Sequence, residues 1–261
     1  MSEKQPLFLL VDSAAPGPWN MAVDEALLEA AALDGLSTLR FYQWGEPTLS
    51  LGYFQSHTER NEHPASLCCP LVRRISGGGA ILHHYELTYS LTLAYGRLPS
   101  GERGVLYRIV HEALIAALTN WKIQAALVTC GYFAAEDTPP CRKKNEKQPF
   151  LCFQRRVRGD VLCGGVKIAG SAQRRLQGAL LQHGSVLLAR SAFAPELEGL
   201  KERTGKLLSA EELIQAWLEP LAKGLTCTWQ AGELPAATRR KAESLAAEKY
   251  ASPHWTEKRN K

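Results

Sequence analysis

The sequence predicts an α+β fold in which a mixed or antiparallel β-sheet carries packed helices. Three observations support this. Short strand-like stretches dominate residues 7–52 and 71–93. Two longer stretches repeat apolar residues at helical spacing, and a run of small strands between 159 and 188 gives way to a mostly helical end. In order, Leu7 to Val11 reads as a short buried strand, and Asn20 to Leu33 as an amphipathic helix whose apolar face is Met21, Ala22, Ala26, Leu27, Ala30 and Ala31. Leu39 to Trp44 and Thr48 to Gly52 are strands around the Gly45-Glu46-Pro47 turn. Leu71 to Arg74 leads into a glycine turn, Ala80 to His84 leads out of it, and Leu87 to Leu93 alternates like another strand. Tyr107 to Asn120 is helical and Lys122 to Val128 returns to strand. Cys130 to Pro149, rich in Pro, Lys and Glu, reads as a long surface loop. Gly159 to Val166, Val166 to Gly170 and Gly178 to Leu188 form a small meander, followed by helices at Ala210 to Leu221 and Ala236 to Ala251. No internal repeat is present. The expected organisation is one domain over residues 1–190 and a short helical extension over 191–261 packed on it.

Composition narrows the function classes. Of 261 residues 45% are hydrophobic and 22% charged, the balance of a water-soluble globular chain. No apolar run reaches the length of a membrane span and the start lacks a signal-peptide pattern, so a cytoplasmic, non-membrane protein is expected. The net charge of +5 could steer an acidic protein partner, but no basic stripe with interleaved aromatics points to nucleic acid. The seven cysteines are Cys68, Cys69, Cys130, Cys141, Cys152, Cys163 and Cys227; they form no Cys-x-x-Cys pair, so free thiols are expected and zinc is not.

The chemistry concentrates in three segments. Arg73-Arg74-Ile75-Ser76-Gly77-Gly78-Gly79-Ala80-Ile81-Leu82-His83-His84 combines a turn stripped of Cβ atoms with the donor fork of Arg74. Gly164-Gly165-Val166-Lys167-Ile168-Ala169-Gly170-Ser171-Ala172-Gln173 places a lysine among small residues, where an ammonium could polarise a carbonyl. A bland alternative exists, because a lysine at a strand end is often a solvated edge charge. Leu181-Gln182-His183-Gly184-Ser185-Val186-Leu187 completes the set.

Together with Asn20-Met21-Ala22-Val23-Asp24-Glu25-Ala26-Leu27, Arg40-Phe41-Tyr42-Gln43-Trp44 and Pro47-Thr48-Leu49-Ser50-Leu51-Gly52-Tyr53-Phe54-Gln55, these segments resemble the cofactor transferase family of lipoate-protein ligases and octanoyltransferases, with biotin-protein ligases more distant. The resemblance spans roughly residues 8 to 190 and implies a biotin/lipoate ligase-like catalytic domain. Within that family the Glu86-Leu87-Thr88-Tyr89-Ser90 stretch is similar to the octanoyltransferase branch. The resemblance implies transfer of an octanoyl group from octanoyl-acyl carrier protein to a lysine of a lipoyl domain. Acceptors of that kind are the glycine cleavage H protein and the E2 subunits of 2-oxoacid dehydrogenases. Cys152 would carry the acyl group as a thioester and Lys167 would contact the acyl carbonyl. Arg74, Ser76, Gly77, Gly78, Gly79, His83, Gly170, Ser171 and Ala172 would shape the acyl pocket, and His183 would line it or brace its strand.

Alternatives remain open on the sequence. Cys152, flanked by Leu151 and Phe153, could be a small buried hydrophobe, and Cys163 would share one face with Lys167 if that stretch were one extended strand. His84 stands where the family more often has an acidic residue. Asp160, seven positions before Lys167, matches an acidic residue that in lipoate ligases helps hold magnesium and ATP, and that the transferases also carry. The expected enzyme needs no metal or ATP. The ATP- and Mg2+-dependent lipoate ligase and a non-catalytic lipoyl-domain or carrier-binding protein are the alternatives; biotin transfer fits least, and a monomer is expected.

Overall fold

The chain is described by a computed structural model over residues 5–99, 104–129 and 148–257. The elements of the first half are β1 (Gln5–Val11), α1 (Gly17–Asp34), β2 (Thr38–Tyr42), β3 (Thr48–Leu51), β4 (Leu71–Arg73), β5 (Ile81–His83), β6 (Glu86–Ala94), α2 (Val105–Leu118) and β7 (Ala125–Leu127). The second half adds β8 (Val161–Cys163), β9 (Val166–Leu176), β10 (Ala179–Leu187), α3 (Leu200–Thr204), α4 (Ala210–Leu225), β11 (Cys227–Ala231), α5 (Ala236–Leu245) and α6 (Pro253–Glu257). Among the described residues β11-β1-β2-β6-β10-β9-β8-β7 form an eight-stranded sheet and β4-β3-β5 a small second one. β1 pairs in parallel with both β11 and β2, while the pairings from β2 to β7 are antiparallel. The fold is therefore the mixed α+β architecture expected.

Alternation along the strands explains the layers. In β6, Leu87, Tyr89, Leu91 and Leu93 join Leu7, Leu9, Leu39 and Phe41 in a core beneath α2 and α4, where Trp217 is fully buried. The intervening Thr88, Ser90 and Thr92 are buried on the opposite face. On that face α1 packs with Met21, Ala22, Ala26, Leu27 and Ala31, alongside Tyr42 and Leu181, and α5 adds Ala242. A third cluster joins Leu49, Leu51, Ala80 and Leu82 of the small sheet region to Phe150, Leu151 and Phe153. With both faces covered, the strands read as continuous buried runs.

Three departures from the sequence reading matter. The end of the chain is not only helical, because Cys227–Ala231 forms the edge strand beside β1. β9 continues to Leu176, well past Gly170. The helix begun at Ala236 changes after Leu245 into a π-helical turn over Ala246–Tyr250. Most of the expected 130–149 loop, with Cys130 and Cys141, lies outside the described residues.

Candidate active site

The glycine turn, Cys152 and the middle of β9 and β10 meet at one cleft. Its wall includes Arg74, Gly77, Gly78, His83, Cys152, Gly170, Ser171, Ala172 and His183, with Met21, Ile81 and Phe153 supplying apolar surface. Backbone pairing brings distant segments together: Ala80 N–H donates to the Phe150 carbonyl and Cys152 N–H donates back to the Ala80 carbonyl at 2.7 Å. That exchange seats Cys152 at the exit of the glycine turn, as the first residue of a short 3-10 turn. Gly78 takes φ +96°, and a Cβ there would lie 3.1 Å from the Arg74 guanidinium and 4.0 Å from Cys152 Sγ.

Lys167 is nearly excluded from solvent, and its ammonium has three directed contacts. Nζ lies 2.8 Å from Asp160 Oδ2, 3.3 Å from the Cys152 carbonyl and 3.9 Å from Cys152 Sγ. It also sits 5.3 Å from the Phe153 ring centroid. Gly170 makes room for this side chain, since a Cβ there would meet Lys167 Cε at 2.6 Å and Nζ at 2.9 Å. Burial raises the Asp160 carboxyl above its ordinary value, opposed by Lys167 and by the Val157 N–H.

Cys163 is placed elsewhere. Gly164 and Gly165, at φ +53° and +79°, turn the chain back as a tight hairpin, so Lys167 pairs with Leu162 and Cys163 with Val166. The single extended strand that would put the two side chains on one face does not form. Cys163 packs in the core with Val161 and Ile168, where burial raises its thiol pKa.

Both terminal nitrogens of Arg74 bond to the protein itself. Nη1 donates to the Ser50 carbonyl and hydroxyl, and Nη2 to the carbonyls of Gly77 and Gly79 at 2.9 and 2.6 Å. Burial lowers it to about 10. The fork expected to meet a ligand thus braces the turn that faces the ligand. Gly79 lies behind that turn, where a Cβ would strike Arg155 and the Phe150 carbonyl.

Both cleft histidines sit between a carboxylate and a serine. His83 Nδ1 lies 2.6 Å from Glu86 Oε1, its Nε2 lies 2.8 Å from Ser50 Oγ, and Trp44 stacks on the ring. Burial lowers the pKa of His83. His183 Nδ1 lies 3.0 Å from Asp24 Oδ2, and its Nε2 meets the buried Ser76 hydroxyl. Ser76 thus serves behind the wall. Burial opposes ionisation of Asp24, but His183 and Arg40 outweigh it and leave the carboxyl below its ordinary value. His84 points away, stacked on Tyr85 and bonded to Ser191.

Several supporting residues had only weak sequence signals. Asp24 and Arg40 lie inside the quoted motifs, yet their pairing across 16 positions is visible only in the fold. His111 of α2 accepts at Nε2 from Ser171 Oγ, 2.7 Å away, with Nδ1 donating to the Gly159 carbonyl. Gly184 is equally constrained, because a Cβ would meet Ser171 Oγ at 2.3 Å and the Gly170 carbonyl at 2.5 Å.

A free thiol beside a paired ammonium, at the wall of a cleft with apolar patches, is the equipment of an acyl-transferring enzyme. Residues 16–216 match the model of the lipoyl protein ligase A/B catalytic domain, and the chain belongs to that family. It is 32% identical to the octanoyltransferase LipM of Symbiobacterium thermophilum, over 95% of this chain and 96% of that one. It is 34% identical to octanoyltransferase LipM of Geobacillus kaustophilus, over 95% and 97%. Its fold is similar to the structure of a bi-partite lipoate protein ligase and its E2 lipoyl domain from Thermoplasma acidophilum, with a TM-score of 0.74, 19% identity and 98% of each chain covered. A lipoate-protein ligase A bound with ATP gives a TM-score of 0.74 at 20% identity, covering 97% of this chain and 99% of that one.

Proposed function

We propose that this chain is an octanoyltransferase that moves an octanoyl group from octanoyl-acyl carrier protein to a lysine of a lipoyl domain, through a thioester on Cys152. The relatives named octanoyltransferase LipM, matched over nearly their whole length, support the activity. The observation that carries the mechanism is the 3.9 Å approach of the buried Lys167 Nζ to the Sγ of Cys152, which lines the cleft.

In the first half reaction the Cys152 thiolate attacks the donor carbonyl carbon. The bond from that carbon to the carrier sulfur breaks, and the carrier leaves as a thiolate that takes up a proton. One Lys167 N–H faces the sulfur before attack and the carbonyl oxygen as negative charge develops there. In the second half reaction the neutral amine of the acceptor lysine attacks the enzyme thioester. An amide forms, the carbon–sulfur bond breaks, and the proton shed by the amine restores the Cys152 thiol. A thioester is already activated, so this route consumes no ATP and uses no metal. Burying six or seven methylenes in the cleft contributes on the order of 5 kcal/mol to acyl binding. Acceptors of the expected kind are the glycine cleavage H protein and 2-oxoacid dehydrogenase E2 domains. We place the enzyme in the cytoplasm, as a monomer.

The test is intact-mass spectrometry after incubation with octanoyl-acyl carrier protein in the absence of ATP. The expected result is a single octanoyl adduct on the wild type, none on Cys152→Ser, and discharge of the adduct by an apo lipoyl domain. Lipoylation that requires ATP and free lipoate, with no adduct, would make the protein a ligase. Unchanged cellular lipoylation in a strain carrying only Cys152→Ser would favour the non-catalytic binding protein.

A further inference from the structure

Among the described residues, Asp160 is a fully buried carboxylate with an incomplete set of partners. Oδ2 accepts from Lys167 Nζ at 2.8 Å and from the Val157 N–H at 2.9 Å, whereas Oδ1 has no hydrogen-bond partner. Burying an under-satisfied carboxylate is costly, so its retention calls for a physical reason. The reason is adjacent. Gly170, which lines the cleft, has no Cβ, and the space thus left holds Lys167 Nζ and lies 3.1 Å from Asp160 Oδ1.

We propose that Asp160 is the positioning residue of this site: its carboxylate anchors the Lys167 ammonium so that one N–H stays directed at the Cys152 sulfur and at the acyl oxygen bound to it. This rests on the acyl-transfer reading above. The donor count supports it. An ammonium has three N–H groups, and here they meet Asp160 Oδ2, the Cys152 carbonyl and Cys152 Sγ. The first two contacts fix the side chain, which leaves the third for chemistry. The other ionisable groups around this pair are Tyr107 and His111 of α2 and Arg74 of the glycine turn. None of these offers Lys167 a second carboxylate. Asp160 itself touches no reacting atom and acts through Lys167.

Without a carboxylate at 160, the buried ammonium either gives up its proton or leaves the site, and the sulfur loses its cation in both cases. The experiment compares wild type, Asp160→Asn, Asp160→Glu, Lys167→Met and the Asp160→Asn/Lys167→Met double variant. Two rates are read by intact mass: octanoyl loading from the carrier protein, and iodoacetamide alkylation of Cys152, which needs no acyl donor. Asp160→Asn is expected to slow loading about tenfold or more with the donor KM unchanged, and to slow alkylation in parallel. Asp160→Glu should recover most of both rates, and the double variant should be no slower than Lys167→Met. Faster alkylation in Asp160→Asn would overturn the proposal, because Asp160 would then compete with the thiolate for the ammonium. Additive losses in the double variant, or no recovery with Glu, would also overturn it. If the wild type alkylates as expected but never loads octanoate, the transfer reading falls while the coupling of Asp160 to Cys152 stands.

Discussion

Three buried histidines each meet a serine hydroxyl: His83 with Ser50, His183 with Ser76 and His111 with Ser171. The first two have a carboxylate at Nδ1, but His111 has only a backbone carbonyl there, and burial lowers it to about 4. In the unfolded chain its value is the ordinary 6.5. Between pH 6.5 and 4 the unfolded state therefore binds a proton that the native state does not, and stability falls as pH drops through that window. The loss approaches roughly 3 kcal/mol near pH 4. Urea unfolding at pH 7, 5.5 and 4.5 is expected to show a smaller loss for His111→Gln than for wild type; equal losses would reject the assignment. His111 was not singled out from the sequence, because a lone histidine in a helical pattern carries no mark of the strand it will face.

At the scale of elements, β4, which leads into the glycine turn, and α6 hold one another. Arg73 donates to the carbonyls of Gly52 and Gln55 at 2.9 and 2.7 Å, and to the carbonyl of Thr256 in α6 at 2.8 Å. Trp255 returns a bond from Nε1 to the Arg73 carbonyl at 2.8 Å and packs near Tyr53 and Tyr250, with Lys249 over its ring. Trp255→Ala removes the ring and this bond, with an expected cost of about 2 kcal/mol. Chemical denaturation measures that loss, and a change below a few tenths would mean that α6 is not anchored there. Most strands and helices were legible because their apolar periods are strong, as in α4 and β6. β11 was missed, because Cys227-Thr228-Trp229-Gln230-Ala231 is a short edge strand without a clear buried pattern. A Gly164-Gly165 pair between apolar residues reads as strand or as turn, so only the register separates Cys163 from Lys167.

Across the whole molecule the last third of the chain belongs to the main core. Trp217 of α4 packs against Phe41 and Tyr89, with ring centroids 5.7 and 5.3 Å away, and β11 extends the sheet beside β1. A domain of residues 1–190 would expose the β1 edge and the apolar surface under α4, including Leu106, Val110 and Leu114. We expect that fragment to lack a cooperative thermal transition, as followed by circular dichroism. A sharp transition with native-like secondary structure would instead support residues 191–261 as a separable extension.

Residue chemistry and local spacing marked the glycine turn and Lys167, because turn geometry and side-chain type are local properties, while Cys152 and the two cleft histidines stood out through the family resemblance. How these groups are used follows from contacts across the fold. Cys152 reaches Lys167 through the Ala80 to Phe150 backbone exchange, Arg74 is spent on the turn, and Asp160 is paired with Lys167. Each of these outcomes depends on strand register and on contacts between segments far apart in the chain. Such contacts are set by the free energy of burying the whole sheet on both faces, which no short stretch of sequence contains.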